Sequence, residues 1–460
     1  MRAPHAAARS SFIAGAAAIG GFLFGFDTAV INGTVAALRH EFGGGDVAIG
    51  LTVSAALIGS AIGAHGAGTL ADRWGRTRAM AVTAAVFVVS GVLSGAALSL
   101  IDLAAWRLLG GVAIGAASVL APAYIAEIAP AELRGRLGSL QQLAIVVGIF
   151  AALLGDYELA RRAGSASQPF AFGLPAWRWM FWTEVLPALA YGAAAFFLPE
   201  SPRWLVAKGR EDEARRILAL LGEEPDGKLV EIRETIQRDR PTRLRDLRGP
   251  GPLGLQRIVW VGLAVAVLQQ LVGINVIFYY SSVLWQAVGF SEHDALFVTV
   301  ITSVTNIVTT FIAIAAVDRL GRRPLLIAGS AGMAISLAMM AFLFSRAHVD
   351  AAGRVSLDPS SGLTALIAAN VFVFSFGFSW GPVVWVLLGE MFPNRIRAKA
   401  LGLAATAQWI ANFLVTVSFP PLQRLGLGLA YGTYTFFAFA SLFIVLRWVP
   451  ETRGKELEAM

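Results

Sequence analysis

Twelve runs of about twenty residues, each almost free of charge, punctuate this chain of 460 residues, and they leave few folds open. A run of that length crosses about 30 Å of hydrocarbon as a helix. Lipid offers the backbone no hydrogen-bond partner, so each run has to satisfy its own amides and carbonyls as a helix. The runs lie near 11–36, 48–70, 79–100, 103–126, 137–156 and 178–198, then near 257–286, 295–316, 324–345, 362–388, 399–419 and 427–449. Hydrophobic residues make up 56% of the chain and charged residues 15%, against about 25% charged in soluble domains. The expected fold is therefore an all-α integral membrane protein of twelve transmembrane helices in two sets of six.

The basic, Ala-rich residues 1–11 precede an apolar run too long for a cleaved signal, whose core spans about 7–15 residues, so this run reads as a retained first helix. Cysteine is absent, which excludes disulfides, Cys-ligated zinc, iron–sulfur clusters and thiol catalysis. The net charge of +7 falls in short loops between apolar runs, as the Lys/Arg-rich cytoplasmic loops of membrane proteins do, so nucleic acid is not an expected partner. Residues 200–256 carry both signs and read as short amphipathic helices at the membrane surface.

The two sets repeat one another. Asp72-Arg-Trp-Gly-Arg76 returns as Asp318-Arg-Leu-Gly-Arg-Arg323. Glu127 with Arg134 returns, at the same spacing, as Glu390 with Arg397, and Pro199-Glu-Ser-Pro-Arg203 returns as Pro450-Glu-Thr-Arg-Gly454. The domain expectation is a six-helix bundle over 1–199, a helical linker over 200–256, a second bundle over 257–450 and a tail over 451–460. Arg73, Arg76, Arg78, Arg134, Arg136, Arg319, Arg322, Arg323, Arg395, Arg397 and Lys399 fall on one side, which the positive-inside rule makes cytoplasmic, with both termini. Arg76 pairing with Glu127, Arg134 nearby, and Arg322 and Arg323 pairing with Glu390, Arg397 nearby, would form a latch. Asp72 and Asp318 open those loops and cap helix ends or join the networks. The latch closes the cytoplasmic side in one state and breaks in the other.

Charged and amide side chains at bilayer depth are costly and tend to be functional. Asp27 lies inside the first run and Arg107 inside the fourth. A carboxyl that pairs with a cation in one conformation and hydrates in another can carry a proton, which makes proton-coupled transport the leading hypothesis against a static ion pair. Gln142, Gln269, Gln270, Asn275, Asn306 and Gln408 are amides that both donate and accept hydrogen bonds, as a sugar hydroxyl does. Trp385 and Trp409 offer flat faces for a pyranose ring. Interhelical hydrogen bonding is the alternative for any one amide. Gly273 interrupts the seventh run, where a bend is expected. His65, in the second run, reads as a hydrogen-bonded packing residue.

The two Asp-Arg-x-Gly-Arg loops, the Pro-Glu-Ser-Pro-Arg and Pro-Glu-Thr-Arg-Gly segments, and Gln269-Gln-Leu-Val-Gly-Ile-Asn275 resemble the sugar porters of the major facilitator superfamily. The resemblance spans Gly20 to Lys455. Phe24-Gly-Phe-Asp-Thr-Ala-Val-Ile31, Ser379-Trp-Gly-Pro-Val-Val-Trp385 and Ala407-Gln-Trp-Ile-Ala-Asn412 place it nearest the family's bacterial D-xylose–proton symporters. It implies two pseudo-symmetric six-helix bundles rocking about a central site. The amides and tryptophans above match its sugar contacts, Phe24 and Phe376 its cavity walls, and Tyr279 and Tyr280 its outer gate. It also implies coupling, since proton-coupled members carry Asp at position 27 and passive ones Asn. In the loop after Gly75, Thr77 stands where the family usually has a second arginine.

The expected function is a monosaccharide–proton symporter for D-xylose or D-glucose in an inner membrane, acting by alternating access. Its partners are the sugar, protons and the bilayer; no cofactor or metal is expected, and a monomer suffices. The rivals are a passive uniporter and a non-transporting sugar sensor. No nucleophile–His–acid set or metal cluster marks an enzyme.

Overall fold

The computed structural model describes residues 4–129, 134–238, 244–251, 254–349, 355–393 and 396–453. Twelve helical segments among them are long and apolar enough to cross a membrane, and every expected run overlaps one, the third ending at Gly95 rather than at 100. The first half contains α1 (Pro4–Phe42), α2 (Asp46–Trp74), α3 (Arg76–Gly95), α4 (Leu100–Ile128), α5 (Arg134–Ala163), α6 (Ala176–Thr183) and α7 (Val185–Phe197). Three short amphipathic helices follow, α8 (Pro202–Ala207), α9 (Glu211–Leu220) and α10 (Pro225–Arg238). The second half contains α11 (Arg257–Leu271), α12 (Ile274–Ala287), α13 (Glu292–Leu320), α14 (Arg322–Ser345), α15 (Pro359–Gly377), α16 (Trp380–Met391), α17 (Arg397–Leu425) and α18 (Leu427–Trp448).

Three spans are broken, each for a local reason. The sixth breaks between α6 and α7 at Glu184, three residues after which Pro187 has no N–H to donate to the Thr183 carbonyl. The seventh breaks where expected: Gly273 adopts a left-handed φ of 83°, and a Cβ there would lie 2.8 Å from the Tyr434 ring. The tenth, expected to be continuous over 362–388, breaks at Phe378 and Ser379. There the Ser379 hydroxyl donates to the Ser375 carbonyl, and the carbonyls of Trp380 and Gly381 accept from Gln269.

Small residues bring the helices close. A Cβ on Gly59 or Gly63 of α2 would overlap the Leu108 or Val112 carbonyl of α4, and one on Gly111 or Gly115 of α4 would overlap Ala56 or Ser60. The two Gly-x-x-x-Gly faces thus meet backbone to backbone, the arrangement that drives helix association where lipid removes the hydrophobic incentive. Gly25 of α1 and Gly148 of α5 do the same. Large apolar side chains such as Phe196, Phe197, Ile335 and Phe436 point outward, as a lipid-facing surface requires. His65 is exposed, near Ile58 and Ile62. It is not the packed residue expected, because the packing face of α2 is the glycine face.

The end of the molecule carrying Arg76 and Arg322 is called here the basic end, and the other the far end. Contacts between the halves gather at the far end. Asn32 of α1 donates to the Phe278 carbonyl and accepts from the Ser282 N–H, and its carbonyl accepts from the Ser282 hydroxyl. The Ala166 N–H bonds Glu292, Tyr157 stacks on His293 and Phe297, and Asp46 faces both Arg39 and Arg424. One buried apolar cluster runs through both halves there, from Ile31 and Val53 to Phe278 and Trp285. A second fills the first half, takes in Leu221 just after α9, and is touched from the other half by Trp409.

Candidate substrate and proton site

In the middle of the first half, Asp27 and Arg107 meet as the sequence led us to expect. The Arg107 Nη1 donates to Asp27 Oδ1 at 2.5 Å and to the Asp27 carbonyl at 3.1 Å, and the side chains are 2% and 1% exposed. The guanidinium lies over the Phe181 ring, 6.0 Å from its centroid. A third charge completes the group. Glu184, 1% exposed, lies within hydrogen-bond reach of Asp27 and within Coulomb reach of Arg107. Asp27 Oδ2, Glu184 Oε1 and Arg107 Nε are all buried without a hydrogen-bond partner, so two carboxyls share the surroundings of one guanidinium. Sequence reasoning did not single out Glu184, although it lies in the middle of the run 178–198 and meets the same criterion as Asp27.

Most of the expected sugar-contacting side chains gather in the second half. Gln408 Nε2 donates to Gln269 Oε1 at 2.5 Å, and Gln269 Nε2 donates to the Trp380 carbonyl at 2.7 Å. Asn275 donates to Gln270 at 2.5 Å across the Gly273 break. Phe376, on α15, borders Gly381 across the break in the tenth span, and Asn306 of α13 borders Gly377. Phe24 reaches across from the first half to Trp409, ring centroids 5.8 Å apart. Gln142 is half-buried on α5 and Trp385, one turn beyond Gly381, is exposed; neither is held in the amide cluster.

The two tyrosines differ. Tyr279 is buried, with Asn412, Asp27 and Arg107 among its polar neighbours. Tyr280 instead turns into its own half, its hydroxyl donating to the Thr416 carbonyl at 3.1 Å and its ring packing on Phe419.

At the basic end the duplication extends to individual atoms. Arg76 pairs with Glu127 through two hydrogen bonds of 3.0 and 2.9 Å, and Arg322 pairs with Glu390 through two of 3.0 and 2.7 Å. Each arginine also donates to the carbonyl five residues before it, Ala71 or Val317. Glu200 and Glu451, from the two repeated Pro-Glu segments, accept the backbone N–H of Arg76 and Arg322 at 2.8 and 3.1 Å. A Cβ on Gly75 or Gly321 would strike these carboxyls. Burial works against ionised Glu451, but N–H groups of Arg453, Arg322, Arg323 and Thr452 outweigh it and hold the carboxyl below its usual range.

Asp72 joins the first network through Arg76 at 3.0 Å. Arg323 does not pair with Glu390; it donates to the Leu446 carbonyl, and Thr452 takes the place beside Glu390. Arg397 bonds the Phe392 carbonyl rather than a carboxylate. The side chains of Arg134 and Asp318 lie outside the described residues. Both networks lie within one half each, so they clamp a half together rather than joining the halves. Sequence reasoning did not assign Glu200 and Glu451 to these networks, though their repetition after the sixth and twelfth runs was a signal.

Comparison with known proteins accounts for this arrangement. The sequence profile of the family described as "Sugar (and other) transporter" matches residues 13–460. The chain belongs to that family. Similar sugar transporters include a glucose transport protein of Synechocystis, 55% identical over 97% of this chain and 96% of that protein. Another is the D-xylose-proton symporter of Escherichia coli, 36% identical over 96% of this chain and 93% of that one. Among solved structures, the partially occluded inward open conformation of the E. coli xylose transporter XylE matches with a TM-score of 0.83, at 32% identity over 97% of this chain and 100% of that one. The same transporter bound to 6-bromo-6-deoxy-D-glucose matches with a TM-score of 0.79 at 34% identity. The fold is that of the major facilitator superfamily, and the protein is a sugar transporter, not an enzyme.

Proposed function

We propose that this transporter is a monosaccharide–proton symporter, and that Asp27, Glu184 and Arg107 form its proton site. The observation that carries the reading is the buried cluster of two carboxyls on one guanidinium. With both carboxyls ionised the cluster bears an uncompensated negative charge in a medium that penalises it heavily. One proton shared between the Asp27 and Glu184 carboxyls, whose Oδ2 and Oε1 have no partner, makes the cluster neutral. Loss of that proton to water in one conformation and its recovery in the other is the elementary coupling step. A passive uniporter has no use for the second buried carboxyl.

The sugar is taken to bind at the amide cluster. Gln269, Gln408, Gln270 and Asn275 satisfy one another or the backbone, and a hydroxyl that donates and accepts can replace such a partner one for one. Gln142, Asn306, Trp385 and Trp409 complete the contacts, with Phe24 and Phe376 as walls and Tyr279 linking sugar to proton site. D-glucose and D-xylose are the candidate substrates, supported by the names of the two relatives. No cofactor enters the cycle, and a monomer contains the whole site.

We further take 1–199 and 257–450 as the two moving bodies, 200–256 as the linker and 451–460 as the tail. The membrane is the cell's inner one, the basic end cytoplasmic and the far end outside. The gathered contacts at the far end then make this an inward-facing arrangement, in keeping with the inward open relative. The Arg76–Glu127 and Arg322–Glu390 clamps act as the rigid bases of the cytoplasmic latch.

The test is uptake of labelled glucose and xylose into proteoliposomes with and without an inward proton gradient. About 120 mV is worth roughly 2.8 kcal/mol per proton, about a hundredfold accumulation. Accumulation is expected only with the gradient, and Asp27→Asn should abolish it while sparing exchange of sugar for sugar. Equilibration that ignores the gradient would refute symport.

A further inference from the structure

Asp156, on α5, is a third buried carboxyl, outside the cluster above. It is 1% exposed. Its Oδ2 accepts the Gly33 N–H of α1 at 3.1 Å, and its Oδ1 has no partner. The carboxyl thus reaches into the backbone of α1 beside Gly33, where a Cβ would lie 2.6 Å away. Gly33 is six residues beyond Asp27, about 9 Å further toward the far end.

Among the described residues no cation offsets Asp156. Burial and the Gly33 N–H are the influences acting on it, and the charged groups of the helices packed around it are engaged elsewhere. On α1, Arg39 faces Asp46 and Glu41 holds Arg178 of α6; His40 is exposed. On α4, Arg107 holds Asp27, and Asp102 caps its own helix start. On α5 itself, Arg161 and Arg162 pair with Glu158, and Tyr157 stacks on His293. On α13, Glu292 bonds the Ala166 N–H, and Asp294 lies beside Ser291 and His293. Arg9, Arg134, Arg136, Asp318 and Arg319 are at the basic end of these helices. One backbone donor cannot compensate a fully buried carboxylate. A proton on Oδ1 removes the charge at once.

Its neighbours place Asp156 where the far end opens. Gly33 follows Asn32, whose side chain and carbonyl hold α12 through Phe278 and Ser282. Tyr157, the next residue on α5, packs on His293 and Phe297 of α13. Parting the halves at this end breaks both contacts and brings water beside Asp156.

We propose that Asp156 is a proton-binding site separate from the Asp27–Glu184–Arg107 cluster, holding a proton while the far end is closed and releasing it to water on that side when the far end opens. The carboxylic acid becomes a carboxylate and the proton leaves to far-side solvent; closure takes one back. The closed form binds the proton more tightly, so rising pH lowers the closed-to-open ratio, by at most about tenfold per pH unit for this proton. The proposal rests on the alternating-access reading above, but not on sugar being driven by protons.

The test uses the absence of native cysteine. Spin labels on Gln168→Cys and Leu425→Cys, exposed positions at the far end of either half, report its opening by distance as pH is varied without sugar. The Asp27 cluster contributes its own slope, so the comparison is between slopes. Asp156→Asn, which keeps an acceptor for Gly33, and Asp156→Ser, which does not ionise either, should each flatten the dependence by up to about tenfold per pH unit. The infrared carbonyl band of a protonated carboxyl at neutral pH should weaken in both. A slope and a band unchanged in either folded variant would overturn the proposal. Failure of gradient-driven uptake would refute symport and leave these two readings as they stand.

Discussion

Removing both carboxyls of the central cluster should cost far more than the two single removals together. In Asp27→Asn the new amide still accepts from Arg107 Nη1, and Glu184, released from sharing its proton, ionises as the counter-ion. The loss is one charge-assisted hydrogen bond, about 1.5–3 kcal/mol. In Glu184→Gln the Arg107–Asp27 pair stays intact, and about 1 kcal/mol is expected for the altered hydrogen bond. The double variant leaves Arg107, 2% exposed, with no counter-ion, a situation that costs about 3–5 kcal/mol for a broken buried pair, beyond the lost hydrogen bonds. The coupling should therefore exceed about 1 kcal/mol. Adding Arg107→Leu to the double variant should recover part of the loss, since the stranded charge is gone. SDS-induced unfolding of the four proteins measures the cycle, with the triple variant as its control. Additive single and double losses would show that Glu184 is not a second counter-ion, and the shared-proton account of this site would fall.

Three further outcomes follow from the geometry. Gln269→Ala removes the side chain that joins Gln408 to the Trp380 and Gly381 carbonyls; with about 1.5 kcal/mol at stake, KM for the sugar should rise about tenfold in uptake assays. Gly63→Val drives a side chain into the α4 backbone, so a loss of at least about 1–3 kcal/mol should appear as a smaller monodisperse fraction on size exclusion. Gly66→Ala, with open space around it, is its control. Glu451 is held ionised by four backbone N–H groups, so its stabilisation is fully present above about pH 4.5, its unperturbed value, and fades as pH falls through the lower folded-state value. The stability gap between wild type and Glu451→Gln should be flat at neutral pH and narrow on acidification.

What could be read from residues alone follows from how local each signal is. The spans were legible because hydrocarbon imposes length and apolarity on each one separately. The paired loops were legible because duplication kept the spacing of Asp72 and Arg76 in Asp318 and Arg322, and that of Glu127 and Arg134 in Glu390 and Arg397. The break at Gly273 announced itself through a residue type. The break at Ser379 did not, because it is stabilised from another helix by Gln269. Glu184 carried the same local signal as Asp27, but its meaning comes from a partner more than a hundred residues away. The direction in which Tyr280 turns, and the choice of Arg322 over Arg323 as the partner of Glu390, depend on tertiary packing that no local pattern encodes.

The position of the two Pro-Glu segments also bears on how the protein is made. Glu200 lies just past the sixth span, and it accepts from the backbone N–H groups of Arg76 and Thr77 and from the Thr77 hydroxyl at the start of the third. That clamp can close only when the third span is already in place and the sixth has been delivered, and nothing in it waits for the second half. The first six helices can therefore be locked into a finished body while the rest of the chain is still being synthesised. Glu451 repeats the step at the end of the second half, so each half closes with the last residues that leave the ribosome for it.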